Sequence, residues 1–151
     1  MRLLLDTHVL LWALIEPAKL DAPVRSQLED PENEILFSAA SAWEMAIKAA
    51  LGRADFQVSP ERIVASAQAS GFIELPVRSA AALKVRILPH HHRDPFDRLL
   101  VAQAMTEPAV LYTANARLLL YSELVVCVEG SFSTASQAKI PTTAAQDYLA
   151  V

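Results

Sequence analysis

Several things are scarce in this sequence, and each shortage removes a class of protein. Cys127 is the only cysteine, so no intramolecular disulfide framework exists, and its apolar setting, Leu124 to Val128, reads as core. A single thiol suits a reducing compartment, and a cytoplasmic protein is expected. No run approaches the roughly 18 uncharged apolar residues of a membrane span, because Asp6 and His8 interrupt the first candidate. Met1 to Ile15 superficially looks like a signal peptide, but Asp6 inside it and the lack of a small-residue cleavage site argue against export. Basic charge is also short. The formal net charge is -4, which excludes a protein whose whole surface grips nucleic acid. Glycine occurs three times and forms no glycine-rich phosphate loop.

What is present is apolar material, 53% of 151 residues, enough for one globular domain that buries about 68% of its unfolded surface. Short apolar runs alternate with helical spacing. Strands are predicted at Arg2 to Asp6, Ile35 to Phe37, Phe72 to Leu75, Ala109 to Thr113 and Leu124 to Val128. Helices are predicted after Asp6, from the cap Asp21 to Leu28, from Ser38 or Ser41 to Gly52, and from Ser59-Pro60-Glu61 to Gly71. Further helices are expected from the cap Ser79 to Ile87, from Phe96 to Met105, and from Asn115 to Tyr121, with a loop carrying His90, His91 and His92 before Phe96. Such alternation predicts an α/β fold with a short, mostly parallel central sheet flanked by helices. Residues 129–151 turn to Ser, Thr, Ala and Gln and read as a polar tail, disordered or docked, with a capping box at Thr143 to Gln146. The domain therefore spans residues 1–128.

In parallel sheets ligands bind beyond the carboxyl ends of the strands, so acids placed there carry more meaning than acids on helix surfaces. Asp6 ends the first strand, Glu44 lies in the helix after the second, and Asp94 and Asp97 stand three apart at the start of the Phe96 helix. Gathered carboxylates repel one another unless a cation sits among them. An oxygen-only set favours Mg²⁺ or Mn²⁺, and the chemistry suited to it is metal-assisted phosphodiester hydrolysis. Each acid also has a plainer role: Asp6 as a helix cap, Asp97 as a partner of the helix dipole, Glu44 as a solvated helix residue. Phosphoryl transfer through Asp6 as nucleophile is disfavoured, since Asp6-Thr7-His8 has no neighbouring second acid.

Four segments taken in order resemble the motifs of VapC-type PIN-domain ribonucleases, the toxins of bacterial toxin-antitoxin pairs. They are Leu3-Leu4-Leu5-Asp6-Thr7-His8, Ser38-Ala39-Ala40-Ser41-Ala42-Trp43-Glu44, His91-His92-Arg93-Asp94-Pro95-Phe96-Asp97-Arg98-Leu99-Leu100 and Tyr112-Thr113-Ala114-Asn115. The resemblance covers Met1 to about Val128. It implies a three-layer PIN fold, a metal-dependent endoribonuclease, an antitoxin partner and a homodimer, with no membrane association. It makes Asp6, Glu44 and Asp97 the metal acids and, together with Asn115, the catalytic set, with Asp94 beside them and Thr7, Ser41 and Thr113 in support. Asn115 departs from the pattern, which has an aspartate there, so a catalytically impaired module that binds RNA or a partner chain is the rival reading.

Between Arg78 and Arg98 five basic residues face two acids, a local basic island beside the acidic centre. Arg93, Arg98 and Arg86 are the candidates for contact with an RNA substrate, against the alternative that they pair on a solvated face. The histidines read as an exposed loop. Trp12, Trp43 and Phe96 suit base stacking chemically, but their helical spacing favours core packing.

Overall fold

The structure, a computed structural model, describes residues 1–54 and 56–128. The expected tail and its capping box at Thr143 lie outside the described residues. Five strands form one parallel sheet: β1 (Arg2–Leu5), β2 (Glu34–Ser38), β3 (Ile73–Leu75), β4 (Val110–Thr113) and β5 (Val125–Cys127), in the spatial order β3-β2-β1-β4-β5. Six helices flank it: α1 (Thr7–Ile15), α2 (Ala22–Glu29), α3 (Ala39–Ala50), α4 (Pro60–Ala69), α5 (Ser79–Lys84) and α6 (Pro95–Thr106). No helix among the described residues is long and apolar enough to cross a membrane.

The apolar runs are continuous because the sheet is covered on both faces. Leu4, Leu36 and Leu111 pack one way with Leu100, Val101 and Ala104 of α6 and Ala81 of α5. Their neighbours Leu3, Leu5, Ile35, Phe37 and Tyr112 pack the other way with Val9 and Leu10 of α1, Met45 of α3 and Ile63 of α4. This period-two division follows from the pleat and yields three layers, helix, sheet, helix. Each leucine so buried contributes roughly 1.5–3 kcal/mol.

Helix starts follow their caps. Asp6, Asp21, Ser38, Ser59 and Asp94 each accept a backbone N–H at the head of α1, α2, α3, α4 and α6. Gly52 and Gly71 take positive φ, 63° and 84°, just beyond α3 and α4, where a side chain would be strained. Three expectations change. Ser79 is the first residue of α5 rather than its cap, the cap position being Arg78 with no side-chain bond, and the helix gives way to a 3₁₀ turn over Val85–Ile87. The segment after Asn115 is likewise a 3₁₀ turn, Ala116–Leu120. Cys127, expected in the core, is only partly buried on the edge strand β5.

Strand order reverses at β1. The chain builds outward through β2 and β3, then crosses back through α5 and α6 to place β4 on the other side of β1. In such sheets ligands bind beyond the carboxyl ends of the strands where the order reverses, and at that end stand Asp6 and Thr113. Phe37 is fully buried at the centre of the sheet. Phe37→Ala is expected to cost about 3–5 kcal/mol, measured by equilibrium urea unfolding.

Candidate metal centre

Asp6 follows β1 and is held from three sides. Its Oδ1 accepts from Val9 N–H at 2.8 Å, closing α1, while Oδ2 accepts from the Thr113 hydroxyl at 2.6 Å and from Ala114 N–H at 3.0 Å. Burial pushes its carboxyl above the ordinary range and Asp97 adds to the rise, while His8, Thr113 and Val9 oppose it. Asp94 caps α6 through Oδ1, accepting from Phe96 N–H at 2.9 Å and Asp97 N–H at 3.3 Å. Its carboxyl is pushed up to about 6, first by burial and then by the charges of Asp97 and Glu44. The charge of Asp97 is thus felt at both Asp6 and Asp94, and that of Glu44 at Asp94.

Glu44 is buried rather than solvated, at 6% exposure. Thr7 supplies its hydroxyl to Oε1 at 2.8 Å and lies 3.0 Å from the Ser41 hydroxyl, so the two supporting residues expected from sequence do stand beside the acid. Oε2 pairs with the Lys48 ammonium at 2.6 Å, one helical turn on. Lys48 went unnoticed in the sequence, although the Glu44 to Lys48 spacing of four was its signal.

His92 corrects the exposed-loop expectation. Its side chain is nine-tenths buried, with Nε2 3.0 Å from Asp97 Oδ2 and 3.2 Å from Asn115 Nδ2. The hydrogen bond to Asp97 raises its pKa. Asn115 Oδ1 caps the following turn by accepting Arg117 N–H at 3.0 Å, which orients the amide with its nitrogen toward His92. His92, Asp94 and Asp97 each bring a ligand atom within 4.8 Å of the others.

Arg98, a candidate for RNA contact by sequence, is turned inward. It is buried, and its guanidinium donates to the carbonyls of Pro89, Val85 and Leu88 and to the Tyr121 hydroxyl. That hydroxyl also accepts the N–H groups of His91 at 3.1 Å and His92 at 2.9 Å. Arg98 and Tyr121 therefore fix the loop that aims His92 at Asp97. Arg86 and Arg93 are exposed. Of the aromatics, Phe96 is buried and Trp12 partly so, whereas Trp43 is 49% exposed with its ring against Phe96 at 5.1 Å.

Partly desolvated carboxylates such as Asp94 and Asp97, clustered with His92, fit a hard divalent cation, which would offset the burial and the like charge that lift Asp94. The PIN domain family model matches residues 3–124, and the chain belongs to that family. Among solved structures it is similar to VapBC2 from Rickettsia felis, bound to a DNA fragment from its promoter, with a TM-score of 0.62 and 14% identity over 85% of this chain and 100% of that chain. It is also similar to VapBC-1 from nontypeable Haemophilus influenzae, with a TM-score of 0.53 and 21% identity over 80% of this chain and 91% of that chain. At such identities the likeness is one of fold. No curated protein matches the chain.

Two outcomes follow from this geometry. Arg98→Met is expected to cost about 2–4 kcal/mol, read by urea unfolding, because it strips donors from buried carbonyls. Asp94→Asn keeps the cap and removes a charge. Since folding raises the Asp94 pKa from 3.8 to about 6, its contribution is fully present below pH 3.8 and is lost as pH rises through 6. In chelator, the variant is therefore expected to match wild type at acid pH and to exceed it by roughly 1–3 kcal/mol above pH 7, measured by denaturant titration at both pH values.

Proposed function

We propose that this chain is a metal-dependent endoribonuclease, the toxin of a type II toxin-antitoxin pair. The observation that carries the reading is the cluster of His92, Asp94 and Asp97, whose ligand atoms lie within 4.8 Å of one another, with Asp6 near enough to feel the charge of Asp97 and Glu44 near enough to act on Asp94. Asp6, Glu44 and Asp97 would hold a Mg²⁺ or Mn²⁺ ion. Such an ion lowers the pKa of an attacking water and offsets charge on the leaving oxygen.

The chain's own groups set the rest. Thr7 and Ser41 fix Glu44, Thr113 fixes Asp6, and His92 fixes Asp97 through Oδ2. Asp94, whose carboxyl is pushed up to about 6, is suited to take a proton from water at Oδ2, which has no hydrogen bond among the described residues. Arg86 and Arg93, both exposed, are suited to phosphates, and the half-exposed indole of Trp43, next to Glu44, to an unpaired base. The similar structures are VapBC complexes, which supports an antitoxin as partner. Leu83 and Ile87, each 72% exposed, support a further contact face, which we assign to a homodimer.

The rival reading, an impaired module that binds RNA or a partner chain, draws on Asn115, whose nitrogen faces the site. Cleavage separates the two. Purified protein is expected to cut a mixed RNA pool in Mn²⁺ and to stop in chelator, and Asp97→Asn to abolish cutting while staying folded by circular dichroism. Asp6→Asn is the poorer control, because both oxygens of Asp6 accept N–H or O–H groups and an amide nitrogen would oppose one of them. An Asp97→Asn protein as active as wild type would overturn the reading, and a metal-independent wild type would too.

A further inference from the structure

His92 adds a nitrogen to a centre read from sequence as oxygen-only. Its Nε2 stands 3.0 Å from Asp97 Oδ2 and 3.2 Å from Asn115 Nδ2, and these two neighbours ask for opposite things. Asp97 needs a hydrogen on Nε2, whereas the amide nitrogen, a donor, needs a bare lone pair there. The amide is held in that sense, because Asn115 Oδ1 accepts Arg117 N–H at 3.0 Å. No one protonation state of the ring satisfies both. A cation shared by Nε2 and Oδ2 removes the conflict at Asp97, whose carboxylate then no longer needs the ring hydrogen, and leaves the partly exposed amide to water. The spacing suits an ion too. Two ligands about 2.1 Å from one ion and at right angles about it stand about 3.0 Å apart, the separation Nε2 and Oδ2 already have. Asp94 brings a third ligand atom within 4.8 Å of the others. The ring is nine-tenths buried, and Tyr121 holds its backbone N–H at 2.9 Å. Its Nδ1 has no partner among the described residues, so nothing on that side dictates which nitrogen keeps the ring hydrogen.

We propose that His92 Nε2 is a direct ligand of the divalent ion, beside Asp97 Oδ2, and that this nitrogen tunes the centre toward Mn²⁺ and the later first-row ions over Mg²⁺. The inference rests on the metal-nuclease reading above and names the class of cation that the centre prefers. Mg²⁺ takes oxygen ligands and keeps its waters, whereas imidazole suits transition ions. With the ion in place the neutral ring carries its hydrogen on Nδ1.

The test looks for the nitrogen. Full-length protein carrying ¹⁵N-labelled histidine is stripped with chelator, loaded with Mn²⁺ alone and read by electron–nuclear double resonance. Wild type is expected to show a histidine nitrogen bonded to the ion, and His92→Gln to lose it. The preference for Mn²⁺ over Mg²⁺, from competition titrations, is expected to fall about tenfold or more in His92→Gln. Bound Mn²⁺ without a histidine coupling, or a coupling that survives His92→Gln, overturns this inference and leaves the nuclease reading standing. A wild type that binds no Mn²⁺ overturns both. If His92→Gln does not fold, the other three histidines decide: His8→Gln, His90→Gln and His91→Gln must each keep the coupling, and its loss in any of them overturns the place given to His92.

Discussion

Buried carboxylate charge is the constraint around which the rest of this molecule is arranged. Burial raises the cost of charge on Asp6 and Asp94, Asp97 raises it further on both, and Glu44 does so on Asp94. The fold offsets part of that cost with its own dipoles. Asp6 and Asp94 sit at the N-termini of α1 and α6, where helix N–H groups and the positive end of the macrodipole favour negative charge. The oxygens that close the helices thus also fix the orientation of the two carboxylates.

Around these acids lies a rigid outer layer. Arg98 reaches three loop carbonyls and Tyr121, Tyr121 holds the backbone of His91 and His92, and His92 meets Asp97. Loops between parallel strands are the least regular part of such folds, and this chain stiffens its own with a buried cation instead of a metal or disulfide. The sheet contributes the remaining precision, since the registers Leu5 to Phe37 and Leu5 to Tyr112 fix the residues after β1 relative to the ends of β2 and β4.

Much of this was legible in the sequence. Continuous apolar runs such as Leu3-Leu4-Leu5 and Ile35-Leu36-Phe37 announced a parallel sheet covered on both faces, and the acids drew notice by position, Asp6 at a strand end, Glu44 in the helix after a strand, Asp94 and Asp97 three apart at a helix start. Element ends moved by a residue or so where caps and frayed turns compete. The misses share one cause: they depend on side-chain direction, which periodicity does not encode. Three consecutive histidines look alike on paper, yet only His92 points inward. Arg98, part of an apparent basic island, is buried because four acceptors converge on it, and Trp43, on an apolar-looking face, is half exposed.

Anomalous diffraction from crystals grown with Mn²⁺ addresses the carboxylate centre most directly. A peak is expected among Asp6, Asp94 and Asp97, at about 2.1 Å from a carboxylate oxygen of Asp97. A peak at another place on the surface, with these acids left without an ion at saturating Mn²⁺, would contradict the view that their buried charge exists to be offset by a metal.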